Sequence, residues 1–380
     1  MKSKADKFLI LSFCTTLALA LLLLLFMTPQ RFSEMENRLL QPFPNLTLDK
    51  LISKEYGNEL ENYFSDHFPF RNHWVMAKSH IERLRLKNEN NGIYYGKEGY
   101  LFEKFLMPEE QKLLQYTDSL NEFSSKHPNV KITLMLIPTS VGIYLDKLPW
   151  LAPSYPQDKV NQKIGDYVKN TLTFIDGYDF LSADASEPVY YRTDHHWNTN
   201  GANLGYLAYA KEMGWKPLSK NEFKIQTISE SFLGSYHTRS QFSGITPDTI
   251  QAYFPRKPIQ TKVYIADTEE TVNSLYNESF LTQKDKYSYF LGGVHALMKI
   301  TSQLKPEQIQ QEKLLVIKDS YAHNLIPFFT NHVAEIYVID IRYYNGNISA
   351  FMQENGIGEV LFIFNTSTFV NNSELLKLRK

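Results

Sequence analysis

The fold is decided by Leu314–Asn365, which reads LLVIKDSYAHNLIPFFTNHVAEIYVIDIRYYNGNISAFMQENGIGEVLFIFN. Apolar runs of strand length alternate there with segments of helical spacing. The pattern predicts, in order, strand Leu314–Ile317, helix Tyr321–Phe329, strand Glu335–Ile341, helix Asn347–Asn355 and strand Glu359–Phe364. Strands that are apolar almost throughout are typical of parallel sheets covered on both faces. The order β-α-β-α-β therefore predicts an α/β fold with a doubly wound parallel sheet flanked by helices.

The same alternation extends upstream to about residue 109. It predicts, in order, helix Glu109–Ser125, strand Val130–Ile137, helix Val160–Leu172, strand Thr173–Asp176 and helix Gly201–Met213. The last helix follows Thr199 and Asn200, which are both residue types that cap helices well. Between residues 214 and 312 the alternation is lost, so we expect an irregular insertion near the functional site.

The N-terminus carries a candidate membrane anchor. Phe8–Met27 is an uncharged run of 20 residues, which is long enough to cross a hydrocarbon core of about 30 Å. Lys2, Lys4 and Lys7 precede it, which predicts a cytoplasmic N-terminus and an extracytoplasmic remainder. A cleaved signal peptide is the alternative. Its apolar core would be shorter and would end in a small-residue cleavage site, so the sequence favours an uncleaved anchor.

The predicted domain organisation follows from these patterns. It consists of a cytoplasmic tail at 1–7, the transmembrane anchor at 8–27, a stalk and N-terminal extension at 28–108, and a catalytic domain at 109–380 that holds the 214–312 insertion. Within the extension, Thr47–Lys87 is predicted to be helical with an interruption at Phe68-Pro69-Phe70. Asn91–Glu103, with Gly96 and Gly99, is predicted to form a hairpin.

Composition excludes several function classes. A net charge of −1 argues against nucleic acid as a partner, because a nucleic-acid site needs a basic face. The single cysteine, Cys14, lies inside the predicted anchor, so the exported part has no cysteine nucleophile, thiolate metal site or disulfide. Aromatic residues reach 14%, a surplus that serves either a packed core or stacking on sugar rings.

Ser320 is the first residue that could carry chemistry. It follows the segment Leu314–Lys318 after one residue and opens the next helix. A serine at such a turn points its hydroxyl over the edge of the sheet, and the helix N-terminus offers backbone N–H groups for an oxyanion. The alternative is that Ser320 only caps the helix.

Asp194-His195-His196-Trp197 is the second candidate group. A carboxylate two residues from an imidazole can accept from Nδ1–H and leave Nε2 free as a base. Trp197 would exclude water or pack the loop. A polar turn and a metal site are the alternatives, because Asp194, His195 and His196 are all possible ligands.

Asn365, at the end of the last predicted strand, is the third candidate. Its amide could donate to an oxyanion, or it could form a turn. Lys318 and Asp319 precede the serine, and Arg342 follows the middle predicted strand. Each of these charged residues either steers the substrate or is plain surface charge.

Together these residues resemble the DHHW protein family and, through it, the alginate O-acetyltransferase-like branch of the SGNH hydrolases. Thr193–Trp197 contains the name-giving motif, Lys318–Tyr321 resembles the GDS nucleophile block, and Asn365 resembles the asparagine block. Three further segments take part in the match: Glu36-Asn37-Arg38, Asp66-His67-Phe68-Pro69-Phe70-Arg71 and Gly96–Phe102.

The resemblance implies an SGNH-like fold in which Asp194 orients, His196 is the base and Ser320 is the nucleophile. Asn365, Tyr321, Arg342, Trp197 and His195 are expected around the oxyanion or the substrate, with no cofactor and no metal. Lys318 replaces the glycine of GDS, which puts one oxyanion donor in doubt.

The implied function is that of a membrane-anchored extracytoplasmic O-acyltransferase or O-acylesterase. It would act on an envelope or exported polysaccharide through an acyl-serine, and a membrane protein that delivers acyl groups is a candidate partner. Transferase and esterase remain alternatives. The competing hypothesis from another class is a non-catalytic glycan-binding or assembly factor, which a distorted oxyanion hole at Lys318 would favour.

Overall fold

The computed structural model describes residues 4–26, 29–33, 38–85, 87–183 and 185–379. They form two compact units: one contains the chain up to Asn90 together with Thr238–Gly244, and the other contains Asn91–His237 and the chain from Ile245 onward. Met27, at the end of the predicted anchor, and Glu36-Asn37 of the resemblance lie outside the described residues.

The first unit is mainly helical. Its helices are α1 (Lys4–Phe26), α2 (Leu48–Ile52), α3 (Glu55–Asp66) and α4 (Arg71–Leu84), and its short strands are β1 (Phe32–Ser33), β2 (Arg38–Leu39) and β3 (Glu89–Asn90). Thr47 caps α2 by accepting from the N–H of Lys50 at 3.3 Å. The predicted interruption is confirmed, since α3 and α4 are separated at Phe68–Phe70 and Phe70 has a φ of 59°.

The apolar segment at the N-terminus is helical. Within the described part of the chain, one helix is long and apolar enough to cross a membrane, over Lys4–Leu24 with a mean hydropathy of 2.2. A transmembrane anchor and a signal sequence both have these properties.

The second unit holds the α/β fold. Its strands are β4 (Ile93–Tyr95), β5 (Leu101–Glu103), β6 (Lys131–Ile137), β7 (Thr173–Asp176), β8 (Phe223–Phe232), β9 (Asp248–Pro255), β10 (Thr261–Ile265), β11 (Glu270–Val272), β12 (Leu297–Ser302), β13 (Gln311–Lys318), β14 (Val333–Asp340) and β15 (Glu359–Asn365). Its helices are α5 (Glu110–Lys126), α6 (Ser140–Ile143), α7 (Gln157–Val168), α8 (Thr199–Met213), α9 (Ser235–Ser240, which begins in this unit), α10 (Ile326–Phe329), α11 (Ile348–Asn355) and α12 (Thr366–Phe369).

The central sheet has the order β11-β10-β12-β14-β13-β15-β6-β7. The five strands from β14 to β7 are parallel, which confirms the predicted doubly wound arrangement. Leu134, Val316 and Phe362 on three of these strands have no solvent exposure, as expected for strands that are covered on both faces. The hairpin β4–β5 is also confirmed.

Residues 214–312 extend this sheet, which the sequence analysis did not predict. Strands β10, β11 and β12 add to its edge in antiparallel pairing. Burial alternates along β10 and β12, and the intervening residues Lys262 and Lys299 interrupt any continuous apolar run. Antiparallel strands with one solvated face have this alternation, so a search for unbroken apolar strands misses them.

Candidate active site

Ser320 lies directly beyond the carboxyl end of β13, in a short 3₁₀ turn over Ser320–Ala322. The turn is capped by Asp319, whose Oδ1 accepts from the N–H of Tyr321 at 2.9 Å. Asp319, and not Ser320, is therefore the residue that caps this turn. The hydroxyl of Ser320 instead lies 2.7 Å from Nε2 of His196.

His196 stands between a carboxylate and a hydroxyl. Its Nδ1 is 2.5 Å from Oδ1 of Asp194. An ionised carboxylate only accepts hydrogen bonds, so Nδ1 carries the proton and Nε2 is left to accept from Ser320. The sequence-predicted residues Asp194, His196 and Ser320 are thus in one chain of hydrogen bonds.

Asp194 is buried but well satisfied. Its Oδ1 also accepts from the N–H of His196 at 3.0 Å, and its Oδ2 accepts from the N–H of Ser235 at 2.7 Å. Burial alone would raise the pKa of Asp194, but His195, His196 and these hydrogen bonds outweigh it and lower that pKa. A Cβ on Gly234 would come within 2.3 Å of the Asp194 side chain, so only glycine leaves room for this carboxylate.

His195 faces a different partner. Its Nδ1 lies 2.6 Å from Oγ of Ser235, and its side chain is one-third exposed. Desolvation and the neighbouring His196 lower the pKa of His195 to about 4, which keeps it neutral at pH 7. Its ring centroid is 3.7 Å from that of His196.

Asp194, His195 and His196 also offer ligand atoms that all lie within 4.8 Å of one another, a spacing that a metal ion could use. Both ring nitrogens of His196 are already engaged by Asp194 and Ser320. Metal ligation by His196 would therefore require it to give up one of these hydrogen bonds.

Trp197 and Tyr321 join the histidine loop to the serine turn. The indole N–H of Trp197 donates to the carbonyl of Tyr321 at 2.9 Å and to Oδ1 of Asn324 at 2.8 Å. The hydroxyl of Tyr321 donates in return to the carbonyl of His195. Both side chains are fully buried, and their hydrogen bonds join the two segments. The sequence-based expectation that Trp197 and Tyr321 lie around the oxyanion or the substrate stays a prediction.

Asn365 lies against Asp319. Its amide nitrogen donates to Oδ2 of Asp319 and to Oγ1 of Thr368, both at 2.7 Å, and its Oδ1 accepts from the N–H of Thr368. Both amide hydrogens are therefore engaged. In this arrangement Asn365 supports the serine turn and caps α12, and donation to an oxyanion would require it to leave one of these partners.

Lys318 and Arg342 share the buried carboxylate of Asp340. Arg342 forms a bidentate pair with Asp340 at 2.8 and 2.7 Å, while Nζ of Lys318 lies 3.1 Å from Asp340 and 2.7 Å from Nε2 of His323. Desolvation lowers the pKa of Lys318, although Asp340 opposes this effect. The lysine that replaces the GDS glycine is therefore held in an internal ionic cluster, and Arg342 is paired within the protein.

The sequence analysis missed Tyr287. Its ring stacks on that of His196 with centroids 3.7 Å apart and an interplanar angle of 14°. Its hydroxyl donates to the backbone carbonyl of Ser320 at 3.1 Å. Tyr287 therefore contacts both ends of the His196–Ser320 pair. It lies in the 3₁₀ turn Lys286–Tyr289 of the 214–312 region, where neither periodicity nor a motif singles it out.

Comparison with known proteins identifies the family of the chain. The family model described as "DHHW protein" matches residues 120–339, more than half of the chain, and the chain belongs to this family. A search of curated proteins finds no match.

Among solved structures, a DHHW family protein from Eubacterium siraeum DSM 15702 is 26% identical with a TM-score of 0.67, covering 76% of this chain and 95% of that one. Bacillus cereus PatB1 is 19% identical with a TM-score of 0.60, and the match covers 72% of this chain and 95% of PatB1. A structure of PatB1 with a sulfonyl adduct is 18% identical with a TM-score of 0.61, and the match covers 76% of this chain and 100% of that one. The two PatB1 structures show the similarity of fold.

Proposed function

We propose that the chain is a serine-dependent O-acyltransferase or O-acylesterase of the extracytoplasmic space that acts on an envelope or exported polysaccharide. The observation that carries this proposal is the uninterrupted set of hydrogen bonds from Asp194 through His196 to Ser320. An imidazole with a fixed tautomer and an unprotonated Nε2 that accepts from the serine is the arrangement that activates a serine hydroxyl.

In the first half-reaction, Oγ of Ser320 attacks the carbonyl carbon of an acyl donor while Nε2 of His196 takes the hydroxyl proton. The tetrahedral intermediate collapses, the donor's leaving oxygen receives that proton from His196, and an acyl-serine remains. In the second half-reaction His196 takes a proton from a sugar hydroxyl or from water, whose oxygen attacks the acyl-serine. Return of the proton to Ser320 releases an acylated sugar or a free acid.

We assign the backbone N–H of Ser320 as an oxyanion donor. The neighbouring N–H groups of Tyr321 and Asp319 already donate, to Asp319 and to the carbonyl of Ile363 respectively. The amide hydrogens of Asn365 are engaged as well. This sparse set of donors is also the observation that favours the second candidate function, a non-catalytic glycan-binding or assembly factor.

The proposal includes a location. We assign α1 as an uncleaved anchor with a cytoplasmic N-terminus, and a membrane protein that supplies acyl groups as a candidate partner. A reporter fused to the C-terminus should then be active outside the cytoplasm. N-terminal sequencing of the mature protein that begins near Thr28 would instead show a cleaved signal sequence.

The test measures product masses after the protein is incubated with a small acetyl ester and a panel of envelope oligosaccharides. A transferase must let a bound sugar hydroxyl compete with water, and an oriented acceptor can reach effective molarities of about 10⁵ M or more. We expect acetylated oligosaccharide whose formation depends on Ser320. Free acetate as the sole product would indicate an esterase and exclude the transferase. The absence of Ser320-dependent turnover would favour the non-catalytic binding protein.

A further inference from the structure

The corner between α3 and α4 exposes an unusual set of aromatic side chains. We call Phe64–Trp74 the α3–α4 corner. Phe64, Phe68, Phe70 and Trp74 in it are exposed by 41%, 45%, 58% and 62% respectively. Aromatic rings left in water at such density indicate a surface that contacts something else.

The corner is fixed close to the point where α1 ends. Nε2 of His67 lies 3.0 Å from the carbonyl oxygen of Gln30, four residues after Phe26. Leu24, near the end of the apolar helix, lines the same cleft as Tyr63, His67 and Phe68. The corner and the end of the candidate membrane span are thus neighbours within the first unit.

Chain length limits how far the corner can be from the hydrocarbon. Four residues span at most about 14 Å even when fully extended. The headgroup layer on each side of a bilayer is roughly 5–7 Å thick, given about 30 Å of hydrocarbon within a total of 40–45 Å. With α1 in a membrane up to Phe26, Gln30 therefore lies in the headgroup layer or at most about 9 Å beyond it, and His67 contacts Gln30 there.

The side chains of the corner match that layer. Phe64, Phe68 and Trp74 share one surface with Arg71 and Lys78, and Glu61 is the acidic residue on it. Tryptophan and phenylalanine favour the boundary between headgroups and acyl chains, and the long basic side chains reach phosphate. We propose that the α3–α4 corner rests on the lipid surface at which α1 leaves the bilayer, with Phe64, Phe68 and Trp74 inserted among the headgroups. This inference rests on the proposed anchor and not on the proposed chemistry.

Tryptophan fluorescence of the full chain in lipid nanodiscs tests the proposal. The discs contain phosphatidylcholine and phosphatidylglycerol, brominated either near the glycerol end or near the methyl end of the acyl chains. Trp150, which is 87% exposed, is changed to Phe to remove the other exposed indole, while Trp197 and Trp215 are buried. We expect bromine near the glycerol end to quench Trp74 more strongly than bromine near the methyl end.

The matched variant is Trp74→Phe with Trp150 retained. Because Trp74 is mostly exposed, this change should leave the far-ultraviolet circular dichroism unchanged while abolishing the lipid-dependent quenching. Equal Trp74 emission in brominated and unbrominated discs that contain the protein would overturn the proposal. Cleavage of α1 in cells, seen by N-terminal sequencing, would remove the anchor without affecting this measurement on the intact chain.

Discussion

The two compact units use apolar side chains in opposite ways. Between residues 38 and 85, the described chain exposes twelve large apolar side chains: Leu39, Phe43, Leu46, Leu48, Leu51, Ile52, Phe64, Phe68, Phe70, Trp74, Met76 and Ile81. The much longer described part of residues 87–379 exposes eleven: Leu106, Met107, Leu114, Leu145, Trp150, Leu151, Ile225, Tyr264, Val272, Val294 and Tyr343.

This difference fits the two roles proposed above, ester chemistry for the second unit and lipid contact for the first. The second unit buries its apolar residues in its own sheet, and its notable feature is a polar chain of Asp194, His196 and Ser320. The first unit leaves apolar surface that its own core does not cover, which fits a unit that meets lipid. Chemistry should therefore respond to changes in the second unit, and membrane contact to changes in the first.

The largest expected effect is that of Ser320→Ala. Removal of the nucleophile from a Ser-His-Asp set costs up to about 10⁶-fold in kcat. We expect hydrolysis of a small acetyl ester to fall to background. The control is Ser231→Ala, because Ser231 is an exposed serine of the same unit and its loss should leave the rate unchanged. Equal rates for Ser320→Ala and wild type would show that the hydrolysis does not take place at Ser320.

Asp194→Asn should be nearly as severe. An amide donates where the carboxylate accepts, so it favours the tautomer of His196 that has its proton on Nε2, and kcat should drop about 10⁴-fold. The steady-state rate is the measurement. Because Asp194 also accepts from Ser235, a thermal melt should accompany it, and a folded variant with full activity would contradict the assigned role.

Substitutions of Tyr287 test whether the 214–312 region supports the base. Tyr287→Leu removes the ring that stacks on His196, and we expect kcat to fall roughly 10- to 100-fold with KM little changed, as a 1 Å misplacement can cost 10²-fold. Tyr287→Phe keeps the ring and should restore most of the rate. Equal losses in both variants would indicate that the hydroxyl bond to Ser320, not the stacking, matters.

The buried His332 predicts an acid sensitivity of the second unit. Desolvation lowers the pKa of His332 to about 4. Between pH 6.5 and 4, His332 is therefore protonated in the unfolded chain and neutral in the folded protein. The free energy of unfolding should therefore decrease as pH falls through this window, by about 2–3 kcal/mol from this group.

Denaturant titrations followed by Trp215, whose ring lies 5.6 Å from that of His332, would measure this slope. His332→Gln should make the slope less steep, with the part due to His195 remaining, while His73→Gln, at an exposed position in the first unit, should leave the slope unchanged. A slope unchanged in His332→Gln would assign the acid sensitivity to other groups.

The smallest expected effect is that of Trp74→Ser. Trp74 lies in the first unit and takes no part in the proposed ester chemistry, so kcat/KM on a soluble acetyl ester should match wild type. Binding to vesicles that contain phosphatidylglycerol should weaken. A large loss of ester hydrolysis would mean that the two tasks are not separate.

The sequence predicted what local patterns encode. The parallel strands appear as unbroken apolar runs, and the strand-end serine and the Asp-x-His loop were visible as separate candidates. That Asp194, His196 and Ser320 act together was implied by the resemblance to the DHHW family. Strands β10 and β12 were missed because their alternating burial breaks such runs, and β11 was missed because all three of its residues are exposed. The cap of α8 is Asn198, not the predicted Thr199 or Asn200, because its side chain accepts from Gly201.

Other features depend on tertiary contacts that one sequence does not display. Tyr287 reaches His196 from a segment without periodicity, and Gly234 is required only because Asp194 packs against it. The engagement of Asn365 by Asp319 likewise depends on two strand ends that become neighbours only in the folded sheet.

The central claim is that Ser320 is an activated nucleophile. Labelling of the full chain with a serine-directed phosphonate, followed by intact-mass measurement and peptide mapping, tests it most directly, and a sulfonyl reagent is a second probe. The account predicts one adduct per chain, on Ser320, formed far more slowly in Asp194→Asn and absent in Ser320→Ala. An unlabelled Ser320, or a label that favours exposed serines such as Ser231, would contradict it.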